Sequence, residues 1–158
     1  MEACLAVAGS YDRVFNLGDI VGYGASPNET VARSRELGGL FVRGNHDKAC
    51  SGVSSTDDFN HIAALAAYWT KQKLTPENLE WVKALPQGPI KPEAKYLINP
   101  GSIGQPRDGD WRAAFAVFDT SDYKIIFQRV AYDVAGAQKR IYDAGLPDRL
   151  ATRLSDGR

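Results

Sequence analysis

The chain has 158 residues, 44% hydrophobic and 24% charged, enough for one domain with a core and too few for two. Its 19 basic and 19 acidic side chains cancel, which argues against a nucleic-acid partner or an anionic membrane surface. No apolar run approaches the roughly 20 residues of a membrane helix, and no basic stretch at the start marks a signal peptide.

Taken in order, residues 2–8 read as the tail of a helix closed by Gly9. Arg13 to Leu17 is a short apolar strand that runs into Gly18-Asp19 and a glycine-rich loop. Ser26 as N-cap, Pro27 at the first helical position and Glu29 in the first turn open a helix to about Leu37, stopped by Gly38-Gly39. Leu40-Phe41-Val42 is a second strand, leading into Arg43-Gly44-Asn45-His46-Asp47. Strand, helix and strand at this spacing predict a βαβ unit with parallel strands, which brings Asp19 and Asn45 to one sheet edge.

Residues 48–57 read as a loop and Phe59 to about Lys73 as a helix, with Phe59, Ile62, Ala66 and Trp69 at helical spacing. Thr75-Pro76-Glu77 starts a further helix that stops at Pro86. A linker over residues 87–93 and a short strand at Tyr96-Leu97-Ile98 follow, then a turn at Asn99-Pro100-Gly101-Ser102. Ala113 to Phe118 and Tyr123 to Val130 predict a β-hairpin. An amphipathic helix over Val134 to Ala144 and a short one over Pro147 to Leu154 complete the chain.

Ligands of open α/β sheets sit at the C-terminal ends of the strands, so the two strand-end segments are the candidate site. Asp19 and Asn45 offer oxygen ligands for a divalent cation. His46 offers an imidazole that can ligate, donate a proton or hold a phosphoryl oxygen, and Asp47 is placed to orient it. The other histidine, His61, reads as a surface or cap residue at the start of its helix. Cys50 lacks a basic neighbour that would activate it, and Asn99 to Ser102 reads as a fold-closing turn rather than a phosphate nest. Cys4 and Cys50 form neither a disulfide framework nor a zinc-type pair, and are expected to be free thiols of a cytoplasmic protein.

Gly18-Asp19 and Gly44-Asn45-His46-Asp47 across a βαβ spacing resemble the calcineurin-like metallophosphoesterases. Gly18-Asp19-Ile20-Val21-Gly22-Tyr23-Gly24, Thr75-Pro76-Glu77-Asn78-Leu79, Asn99-Pro100-Gly101-Ser102 and Arg129-Val130-Ala131-Tyr132-Asp133 look like the bacterial branch. The resemblance implies an α/β fold, a metallophosphoesterase-like layered α/β sandwich forming a single domain over residues 1–158. It also implies metal-dependent hydrolysis of a phosphomonoester or phosphodiester in a small molecule. Asp19 would bridge two metals (Mn, Fe or Zn), Asn45 would ligate the second, and His46 backed by Asp47 would serve the leaving side.

Three of that family's features have no counterpart: an Asp-x-His motif on a first strand, a later metal-binding His, and a Gly-His-x-His segment expected between Leu85 and Tyr96. The chain holds two histidines in all. Weakly held metal and impaired hydrolysis are therefore expected, and the alternative is a non-catalytic remnant or binding module. An absent first strand would leave an exposed sheet edge through which the chain could form a homodimer.

Overall fold

The computed structural model describes residues 1–86 and 98–158. A first helix, α1 (Glu2–Ala8), ends at Gly9, whose φ of 67° suits a residue without Cβ. Strand β1 (Phe15–Asn16), helix α2 (Pro27–Leu37) and strand β2 (Leu40–Phe41) form the expected βαβ unit, β1 pairing parallel to β2 with Phe15 opposite Leu40. Both strands are shorter than the apolar runs predict. Among the described residues β1 and β2 pair only with each other, and Phe15 and Leu17 stay exposed. Ser26 caps α2 by position alone, since its side chain accepts no N–H; Pro27 stands first in the helix.

Residues 48–57 are not a loop throughout. Helix α3 (Asn45–Ser51) begins inside the Gly-Asn-His-Asp segment, because Asp47 in its first turn accepts the backbone N–H of Gly44 at 2.9 Å. Helix α4 (His61–Lys73) starts two residues later than its apolar spacing suggests, at the point where the Asn60 side chain accepts the N–H of Ala63. Helix α5 (Pro76–Ala84) is capped as expected by Thr75, whose hydroxyl accepts the N–H of Asn78. The linker at 87–93 and the strand residues Tyr96 and Leu97 lie outside the described residues, and Ile98 is not in a strand.

Strands β3 (Ala113–Asp119) and β4 (Lys124–Val130) form the antiparallel hairpin, and helices α6 (Val134–Asp143) and α7 (Asp148–Asp156) follow. Three apolar clusters hold the elements together. Val21, Val31, Ala49, Cys50, Leu74 and Val82 pack beneath the strand-end loops. Ala66 joins α4 to Ile141, Leu150 and Leu154 of the last two helices. Cys4 seats α1 on Ala113 and Val130 of the hairpin. The first cluster is the floor of the candidate site.

Candidate functional site

The parallel register carries the chain out of β1 into Gly18-Asp19 and out of β2 into Gly44-Asn45, and the two loops touch backbone to backbone. A Cβ on Gly18 would stand 2.6 Å from the Gly44 nitrogen, and Gly18 itself has φ 102°. Asp19 adopts φ 57°, a left-handed conformation that short polar side chains tolerate. One carboxylate oxygen of Asp19 accepts the backbone N–H of His46 at 2.9 Å. Asp19 and Asn45 therefore stand together and exposed at one edge, with His46 buried between the loops.

Asp47 does something other than the sequence suggests. Its carboxylate does not orient the imidazole; it accepts three backbone N–H groups, those of Asp19 (2.8 Å) and Gly44 (2.9 Å) on Oδ2 and that of Val21 (3.1 Å) on Oδ1. With no exposed surface, it ties the loop after β1 to the loop after β2. Burial pushes its carboxyl above the ordinary value, against the pull of the N–H groups of Gly44, Val21 and Asp19. Asp47 thus latches the two loops together and makes no hydrogen bond to the imidazole among the described residues.

His46 is held by rings instead. Tyr23 and Phe59 lie 4.3 and 4.8 Å from it, centroid to centroid, and Gly22 approaches so closely that a Cβ there would stand 2.7 Å from Nδ1. Nδ1 is buried and has no hydrogen-bond partner among the described residues. Burial lowers the imidazole pKa from the ordinary 6.5; Asp19 opposes this and Arg107 adds to it. Burial thus favours the neutral imidazole. Tyr23, Phe59 and Arg107 were not legible as site residues: Arg107 lies 84 positions from Tyr23, whose hydroxyl it reaches at 3.3 Å, and no local pattern marks such a pair.

The remaining candidates separate from this cluster. His61 is exposed at the first position of α4, as a cap-region histidine should be. Cys50 is fully buried, and burial pushes its thiol up to about 12, which removes it as a nucleophile or ready ligand. Asn99 and Ser102 turn their side chains onto their own loop, accepting the N–H groups of Gly101 and of Gly104 and Gln105.

As a cation site the edge is short of donors. Asp19 and Asn45 offer two oxygen-bearing side chains, one oxygen already engaged with the His46 amide. Among the described residues no three His, Cys, Asp or Glu side chains converge in a way that could hold a metal ion. Resident divalent ions take about four to eight ligands. The described residues do not fit a resident two-metal centre.

Comparison with known proteins agrees with the fold. A metallophosphoesterase from Sphaerobacter thermophilus superposes with a TM-score of 0.85 at 32% identity, over 99% of this chain and 93% of that one. A hypothetical protein from Pyrococcus horikoshii gives a TM-score of 0.79 over 98% of this chain and 89% of that one; at 20% identity it speaks for the fold alone. An uncharacterized protein from Methanocaldococcus jannaschii is 35% identical over 211 residues, spanning 92% of this chain and 87% of the relative. That stretch is longer than the whole 158-residue chain, so the relative carries residues with no counterpart here. The family model described as calcineurin-like phosphoesterase matches residues 3–138, and the chain belongs to that family.

Proposed function

We propose that the chain acts on a phosphoester received at the Asp19–Asn45–His46 edge, as a phosphoesterase whose hydrolytic power is reduced. The observation that carries this reading is the locked pair of strand-end loops. They hold an exposed carboxylate and carboxamide beside a neutral, ring-packed imidazole in a chain of a phosphoesterase family. In this reading the Asn45 amide and the imidazole donate hydrogen bonds to phosphoryl or leaving oxygens. A neutral His46 is better suited to holding an oxygen than to delivering a full proton at pH 7. The family uses divalent metals; Asp19 and Asn45 could contribute to holding one, but they do not make a complete ligand set.

The shortage of metal donors favours a second reading, a phosphoester-binding module without turnover. Hydrolysis of an aryl phosphodiester, measured with and without added Mn²⁺, separates the two. Slow Mn²⁺-dependent turnover that Asp19→Ala abolishes supports the enzyme. Silence in both proteins, with binding of the diester retained, supports the module. Turnover unchanged in Asp19→Ala would place the chemistry elsewhere and refute the assignment of this edge.

A further inference from the structure

Next to the Tyr23 ring three arginines converge on one cavity. Arg107 comes from the loop before β3, and Arg149 and Arg153 lie one turn apart on α7. With Tyr23 and the first residues of α4 they line a cavity of about 430 Å³. Like charges at this helical spacing repel. Elsewhere in the chain Arg33, Arg35, Arg112 and Arg129 each meet a carboxylate. Among the described residues no carboxylate side chain meets Arg107, Arg149 or Arg153.

Two of the guanidiniums are also held in place. Arg107 lies 5.5 Å over the Tyr23 ring and donates to its hydroxyl, and the Arg153 Nε donates to the Arg158 carbonyl. Burial and the charges of Arg107 and Arg149 push Arg153 down from the ordinary guanidinium value. The 13-residue helix α4 begins at the same cavity, with His61 at its first position, and so turns its positive end toward it. An anion with several acceptor oxygens matches such an arrangement of donors. Tyr23 contacts both Arg107 and His46, so the cavity and the strand-end edge are neighbours across that ring.

We propose that the Arg107–Arg149–Arg153 cavity binds a phosphoryl group, so that the ligand is a small molecule with two phosphoryl groups, one here and one at the Asp19–Asn45–His46 edge. The existence of the anion site rests on the three guanidiniums; the assignment of the anion as phosphoryl rests on the phosphoester reading above.

Inorganic pyrophosphate, titrated calorimetrically into the full chain without divalent metal, tests this. One saturable site per chain is expected. It should be weakened about tenfold or more by Arg149→Ala and by Arg153→Ala, and left unchanged by Arg33→Ala. Arg149 is exposed on its helix, so its alanine variant should melt like the parent, and that melt guards against a loss of binding through misfolding. Absence of saturable binding, or binding that Arg149→Ala and Arg153→Ala leave intact, would overturn the proposal. Arginine-dependent binding in a chain that hydrolyses nothing would uphold the cavity while refuting the hydrolase.

Discussion

Replacing Asp47 by alanine should cost more stability than any other single change at the strand-end edge. The parent carboxylate accepts the N–H groups of Asp19, Gly44 and Val21 at 2.8, 2.9 and 3.1 Å with no exposed surface of its own. A hydrogen bond to a charged acceptor contributes about 1.5 kcal/mol or more, and a stranded buried donor costs a similar amount. Three such bonds, offset in part by no longer burying a charge, put Asp47→Ala at about 4 kcal/mol. For a domain of this size that is roughly a 12 °C drop in melting temperature. Asp47→Asn can keep an oxygen toward Asp19 and Gly44 while its amide nitrogen faces the Val21 N–H, so about 2 kcal/mol is expected. Asn45→Ala, at an exposed position with no side-chain hydrogen bond among the described residues, should stay within about 0.5 kcal/mol of the parent. Urea denaturation of the four proteins measures the series. An Asp47→Ala variant within about 1 kcal/mol of the parent, or an Asn variant no better than the alanine, would refute the latch.

Gly18→Ala should destabilise by about 3 kcal/mol, since it combines a positive φ with a Cβ driven into the Gly44 backbone. Gly24→Ala, which meets nothing within 4 Å, should be nearly silent; equal melting temperatures for the two variants would remove the close approach as a constraint. The depressed pKa of His46 makes stability depend on pH in a defined direction. The unfolded chain takes up a proton near 6.5 while the folded one resists, so this stabilising contribution is present above 6.5 and is lost as pH falls toward the lower folded value. Melting curves between pH 8 and 5 should fall more steeply for the parent than for His46→Gln, and parallel profiles would contradict the burial argument.

The meeting of Asp19 with Asn45 was legible because a βαβ spacing dictates a parallel pair, and parallel strands deliver their C-terminal loops to one edge. The start of α3 was not. Lys48, Ala49, Cys50 and Ser51 carry no amphipathic stripe, and the signal that opens the helix is a single carboxylate three residues after Gly44. The partners of Asp47 were hidden for a different reason: they are backbone N–H groups, which every residue but proline possesses and no residue type announces. The arginine cavity was hidden by distance, since Arg107 comes from a loop and Arg149 and Arg153 from the last helix, with no periodic pattern joining them.

These differences change what the Gly-Asn-His-Asp segment can testify to. Its residues divide by burial: Gly44, His46 and Asp47 are wedged between the loops, while Asn45, with Asp19 opposite, is exposed. The wedged residues answer to folding. Without Asp47 three N–H groups lose their acceptor, and a side chain at Gly44 would run into the Asp19 carboxylate. In the proposed reading the exposed pair bears the chemistry. Losing Asn45 scarcely touches the fold, whereas Asp19 also accepts the His46 N–H at 2.9 Å from a left-handed conformation, so its loss carries a structural cost as well. A chain with an incomplete set of metal ligands can therefore keep the segment intact for structural reasons. The presence of Asp47 and Gly44 speaks for the family's architecture, whereas turnover has to be judged at Asp19 and Asn45. Stability measured on Asp47 variants and hydrolysis measured on Asp19 variants should accordingly come apart, the first failing with the latch and the second with the exposed donors.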